Sequence, residues 1–174
     1  PKPALEPESY RPRTPFLFNI GVIARKKNQH RILPLLRSNP KLELILAGRH
    51  EDKDYARFLR QQASDLRVDD RMHLVNEITE GEKSWYYHNC QAVVMPSLAE
   101  GFGLPVTEAM SIGKPVFLSK HTALPEIGKD MAFYFQDFEN MQEDFMAGMQ
   151  YYNNAGNRIK EAMKAYSATF NWVD

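Results

Sequence analysis

One cysteine, Cys90, stands among 174 residues. It excludes an internal disulfide, and its place at the head of an apolar run reads as a small buried core residue. A lone thiol fits a reducing compartment, and the expected location is cytoplasmic. Charge of one sign is also lacking, with 22 Lys and Arg against 22 Asp and Glu. A balance of zero removes the electrostatic case for nucleic acid as a partner. The basic residues are spread out, apart from Arg25-Lys26-Lys27. No apolar run approaches the ~20 residues needed to span a bilayer, and no signal-peptide pattern opens the chain. The histidines are scattered and no His/Asp cluster has ligand spacing, so no metal is expected. His73 and His121 read as structural. After the first residues there is no repeat and no low-complexity segment. The 43% apolar content supports an ordinary core of single-domain size. Pro1 in place of an initiator Met suggests a piece excised from something longer.

Proline is concentrated where structure is not expected. Pro1, Pro3, Pro7, Pro12 and Pro15 forbid a helix in residues 1–15 and weaken any strand, which reads as an extended linker. Residues 16–174 then alternate. Apolar runs at 16–22, 42–48, 72–75, 90–95, 114–119 and 131–135 read as strands. Helical spacing appears after the first run to about Arg37 with a stop or kink at Pro34, then at 54–66, 80–88 with Trp85 inward, and 105–113. Leu124 to Ile127 reads as a turn or short helix, and two helices close the chain near 139–153 and 155–168. The strands are continuous apolar runs rather than alternating ones, which is the mark of a parallel sheet covered on both faces. The expected fold is α/β, a doubly wound, mainly parallel six-stranded sheet of Rossmann-like type.

The stretch that organises the rest is Pro96-Ser97-Leu98-Ala99-Glu100-Gly101-Phe102-Gly103-Leu104-Pro105-Val106-Thr107-Glu108-Ala109-Met110. It runs from a buried strand through a glycine loop into a helix with proline in its first turn. The amino end of a helix offers unpaired N–H groups and a positive dipole, a ready anion site. In an open sheet of this kind ligands bind beyond the carboxyl ends of the strands. Three loops of that rim are unusual. One carries Arg25, Lys26 and Lys27, the next Asn76, Glu77, Ile78 and Thr79, and the third the two acids Glu100 and Glu108. Cations, a polar edge and a helix terminus suit a diphosphate joined to a nucleoside and a sugar.

This string, with Gly113-Lys114-Pro115-Val116 after it, resembles the nucleotide-sugar half of retaining glycosyltransferases of the GT-B fold, family four, whose signature is two glutamates spaced as Glu-x7-Glu. The resemblance covers nearly the whole chain from Phe16 but only the second half of the family's two-domain enzyme. Asn171-Trp172 resembles the Phe-Ser-Trp before the family's last crossover helix. The resemblance implies that Glu100 faces the donor sugar, and that the backbone of Gly101, Phe102, Gly103 and Leu104 approaches sugar and phosphate. Glu108 would take the ribose hydroxyls and Asn76 to Ile78 would lie along the base. Ser97 and Leu98 would lie by the same cleft. Gly21 and Lys27-Asn28 look like the family's glycine and Lys-Asn after the first strand. Many members place an arginine directly after that glycine; here it is Val22, leaving Arg25 or Lys26 to supply the cation.

The activity that the resemblance implies is transfer of a mannosyl or glucosyl group, with retention, from a GDP- or UDP-linked sugar to a glycan or lipid-linked acceptor. Lys27 would stabilise the leaving diphosphate. No cofactor is expected beyond the nucleotide sugar. The acceptor would be held by a missing N-terminal domain, the isolated domain would turn over little, and the full-length protein would associate peripherally with a membrane. Two alternatives stand beside this one: a GT-B-type nucleotide-sugar epimerase, and a non-enzymatic doubly wound interaction module.

Overall fold

The computed structural model describes residues 2–170; the Asn171-Trp172 string lies outside them. Six parallel strands form one sheet in the order β3-β2-β1-β4-β5-β6. They are β1 Phe16–Ile20, β2 Glu43–Ala47, β3 Met72–Val75, β4 Ala92–Met95, β5 Val116–Leu118 and β6 Phe133–Tyr134. Neighbouring side chains of a strand point to opposite faces. Leu17 and Phe18 of β1, and Leu44, Ile45 and Leu46 of β2, are all 0% exposed, so both faces are covered. The helices doing this are α1 Leu33–Ser38, α2 Lys53–Asp65, α3 Glu80–Asn89, α4 Leu104–Ser111, α5 Leu124–Gly128 and α6 Met141–Ser167.

The chain winds outward from β1 through β2 to β3, then crosses back to β4 on the other side of β1. The winding reverses between β1 and β4, so their carboxyl ends open a crevice there. Pro34 does not break a helix: the segment from Arg25 to Ile32 is two 3-10 turns, and Pro34 lies in the first turn of α1. Proline is at home there because its missing N–H is not needed. Trp85 is only half-buried, and Tyr86 and Tyr87 form the inner face of α3. The last helix changes course at Gly156, whose φ is +52. Before it, Phe145 and Gly148 pack on Phe117 of β5. After it, Lys160 packs against Gly113 beyond α4.

The proline-rich start has no regular structure, yet it is fastened to the domain. Leu5 N–H donates to the Gly81 carbonyl at 3.0 Å. Glu82, 8% exposed, accepts from the Glu8 amide at 3.0 Å and from the amide and hydroxyl of Thr79, closing a capping box at the start of α3. Glu43, 5% exposed at the head of β2, accepts from the Tyr10 hydroxyl, the Arg13 amide at 2.9 Å and the Thr14 amide at 2.8 Å. The Thr14 hydroxyl and the His73 ring add bonds of 2.7 and 3.0 Å. Burial alone would raise this carboxyl, but the bonds from Tyr10, Thr14 and Arg13 outweigh it and hold it below its ordinary value.

Candidate functional site

At the crevice the loops after β1 and β4 are bonded to each other. The Leu98 and Ala99 amides donate to the Lys26 carbonyl at 2.8 and 3.3 Å. Asn28, in the left-handed region at φ +56, donates its side-chain amide to the Pro96 carbonyl at 3.2 Å. Lys27 Nζ then lies 2.7 Å from Glu100 Oε2, and both side chains are largely buried, 15% and 9% exposed. Glu100 N–H donates to Thr122 Oγ1 at 3.0 Å, which ties the loop to the segment beyond β5. Beneath it Ser97 is fully buried; its carbonyl accepts from the Ser119 hydroxyl, and its own Oγ has no partner among the described residues.

The loop turns into α4 at Gly103, whose φ of +60 suits glycine. A Cβ there would come within 2.6 Å of Ile127 Cδ1, so the turn is also close-packed. Gly101 faces open space, and Phe102 is 80% exposed with Leu98 and Leu104 half-exposed beside it.

The basic triplet divides. Lys27 is the member whose side chain reaches the glycine loop. The Arg25 guanidinium lies over the rings of Tyr55 and Phe58 on α2, at 5.6 and 5.3 Å. Lys26 reaches toward Glu51 at 3.6 Å with its side chain half-exposed. A cleft opens over the ends of β1 to β3 instead. It is lined by Gly21 and Val22, by Gly48 and Arg49 after β2, by Glu77 and Ile78 after β3, and by Glu80 and Lys83 of α3. Asn76 lies in a separate depression beside the outer edge of β3, with Tyr10 and His73.

Glu108, one and a half turns into α4, faces α3. Its Oε1 takes Lys83 Nζ at 2.7 Å and its Oε2 takes the Tyr87 hydroxyl at 2.8 Å. Glu80 holds the same ammonium at 3.0 Å. Burial disfavours the Lys83 ammonium, yet the bonds to Glu108 and Glu80 outweigh it and raise its pKa. The Tyr87 phenol is pushed well above its ordinary value, first by burial and then by Glu108, so it stays a donor. The groove between α3 and α4 that contains Glu108 shares Glu80 and Lys83 with the cleft over β1 to β3.

Sequence reasoning passed over Gly48, Arg49, Lys83 and Tyr87. Gly48 ends β2 as Gly21 ends β1, a signal open to inspection. Lys83 could have been found from the Thr79-x-x-Glu82 capping box, which fixes the first turn of α3 and hence the direction of the next residue. One Asp-x-Asp spacing does occur, at Asp52 and Asp54. Asp52 caps α2 by accepting from the Tyr55 amide at 2.9 Å, and Asp54 pairs with Arg57. Among the described residues no group of three His, Cys, Asp or Glu is placed to hold a metal, and no helix is long and apolar enough to cross a membrane.

The fold is that of solved structures such as the glycosyltransferase WaaG, which superposes with a TM-score of 0.76 at 16% identity over 92% of this chain and 44% of that one, and the domain is a Rossmann-like half of a GT-B fold. The chain belongs to the family Glycosyl transferases group 1, whose model matches residues 5–163. Among curated relatives, the O-antigen chain mannosyltransferase RfbU of Salmonella typhimurium is 35% identical over 91 residues, 52% of this chain and 25% of the relative. The serotype-specific mannosyltransferase WbdA of Escherichia coli is 27% identical over 169 residues, 91% of this chain and 20% of the relative. The chain thus spans about a quarter or less of the length of these two relatives. Anabaena Alr3699/HepE, solved in complex with UDP-glucose, superposes with a TM-score of 0.80 at 21% identity, over 90% of this chain and 44% of that one. The C-terminal domain of the Francisella tularensis group 1 protein LpcC superposes at 0.71 and 20% identity, over 90% of this chain and 87% of that one.

Proposed function

We propose that this chain is the donor-binding, C-terminal domain of a retaining hexosyltransferase. The whole enzyme would move a mannosyl or glucosyl group from a GDP- or UDP-linked sugar to a glycan or lipid-linked acceptor. In this reading residues 1–15 link to an acceptor-binding domain and residues 16–174 hold the nucleotide sugar. The mannosyltransferase relatives and the neighbour solved with UDP-glucose support the substrate class. The observation that carries the reading is the 2.7 Å contact between Lys27 and Glu100, which puts a cation and a carboxylate together at the start of α4.

The chemistry grows out of that contact. Without donor the pair neutralises itself in a poorly solvated place. With donor bound, Lys27 turns to the diphosphate beside the amino end of α4, and Glu100 accepts from hydroxyls of the sugar. The bond between the anomeric carbon and the diphosphate oxygen breaks, and its electron pair leaves with the diphosphate. The acceptor oxygen bonds to the same face of that carbon and its proton passes to the departing phosphate. The reading places the enzyme in the cytoplasm, with peripheral membrane attachment where the acceptor is lipid-linked, and gives no role to a metal.

The test uses the full-length protein with GDP-mannose and UDP-glucose. Lys27→Met and Glu100→Gln should each lower kcat by about 10²–10³ with the fold intact, as for removal of one charge-stabilising group. NMR of the product should show the donor's anomeric configuration kept. Normal turnover by Lys27→Met, or conversion of the donor with no acceptor present, would overturn the assignment.

A further inference from the structure

Glu108 is held more firmly than a helix tie requires. Its oxygens each take one hydrogen bond, from Lys83 at 2.7 Å and from Tyr87 at 2.8 Å, while its side chain stays 35% exposed. An ionised carboxylate has about four acceptor positions. Lys83 and Tyr87 use two, and the two left over match a vicinal diol, which brings two hydroxyl donors about the width of a carboxylate apart. Lys83 is the unusual member. Its side chain is only 20% exposed, and it bridges Glu108 to Glu80 across the wall shared by the groove and the cleft. A partly buried ion pair is an inefficient way to join two helices, since an apolar residue of similar volume commonly does it as well or better. What the ammonium supplies and a leucine could not is a charged carboxylate held in one orientation.

We infer that Lys83 is a positioning residue of the nucleotide site, holding Glu108 aligned for the two ribose hydroxyls of the donor. The inference rests on the donor-site reading under Proposed function. Lys83 acts through Glu108. Lysine in this place makes the site selective for a ribose bearing both hydroxyls, whatever the base. Glu80, 3.0 Å from the same ammonium, holds it in place when Glu108 is engaged.

The experiment measures dissociation constants of this chain for GDP and UDP and for their 2′,3′-dideoxy analogues, in the parent and in Lys83→Met, Lys83→Arg and Glu108→Gln. The parent should bind the ribose forms about tenfold or more tightly than the dideoxy forms, the range expected for hydrogen bonds to a charged acceptor. In Lys83→Met that ratio should fall toward one, with the ribose forms losing far more affinity than the dideoxy analogues. Lys83→Arg should restore most of the ratio, and combining Lys83→Met with Glu108→Gln should add little to either alone. Equal weakening toward both forms, or an unchanged ratio, would overturn the role of Lys83 and leave the donor site standing. A parent chain that binds none of these nucleotides would overturn the donor site and this inference with it.

Discussion

Two glycines at the rim of the sheet look alike in sequence and should behave very differently when given a methyl group. Gly21 ends β1 at φ +149 and Gly48 ends β2 at φ +147, a region that L side chains rarely adopt. That strain is common to both and is worth about 1–3 kcal/mol. The surroundings differ. A Cβ on Gly21 would have Lys27 Cε as its nearest neighbour at 3.7 Å, an ordinary contact. A Cβ on Gly48 would sit 1.9 Å from the Gly21 carbonyl oxygen, where ordinary contact begins at 3.4 Å, so the two strand ends would have to part by about 1.5 Å. Rigid backbone gives way on both sides of that clash, and overpacking of this kind adds about 1–3 kcal/mol. G48A should therefore be about 2 kcal/mol less stable than G21A, a difference of about 6 °C in Tm for a domain of this size. Thermal melts followed by circular dichroism, with urea titrations beside them, would read it. G48A should also weaken nucleotide binding, because the parting strand ends form the floor of the cleft. Equal losses in the two variants, or a larger one in G21A, would refute the close approach of β1 and β2.

The same geometry fixes three further outcomes. E43A removes the acceptor that fastens Tyr10, Arg13 and Thr14 to β2 and should cost about 1–3 kcal/mol by leaving their donors unpaired, measured by urea unfolding. Because the folded carboxyl lies below its ordinary value of 4.5, its contribution should be present above pH 4.5 and fade as pH falls through the folded value. E43Q should flatten that part of the pH profile; a profile identical to the parent's would count against it. Cys90 is 2% exposed and its thiol is pushed up to about 12 by burial, so a thiol reagent at pH 8 should label it only at the rate the domain opens. Complete labelling of native protein within minutes would contradict that packing.

The parallel sheet was legible because its strands are buried on both faces and therefore read as unbroken apolar runs. Met72 to Val75 matches its strand residue for residue although β3 is an edge strand, while β5 and β6 are shorter than their apolar runs. Pro34 misled because proline ends a helix and also begins one, and only the two 3-10 turns ahead of it decide which. Two helical patterns meeting near 154 announced a change of course, which falls two residues later, at Gly156. At the site the glycine loop and its acids stood out in the sequence. The partners that orient them did not. Lys83 and Glu108 lie on different helices, and Arg25 finds Tyr55 and Phe58 across a loop, so these contacts come from tertiary packing rather than from local pattern. The same is true of Glu43 and Glu82, which look like surface charges until the proline-rich segment is laid across them.

The most direct measurement is an amide-shift titration of this chain with GDP, UDP and ADP. The account predicts that at least one of them shifts residues 21–28, 48–49, 77–83 and 97–108 together, the loops at the carboxyl ends of β1 to β4 and the start of α4. A flat response to all three, or shifts confined to the opposite end of the sheet around 113–115 and 152–160, would contradict it.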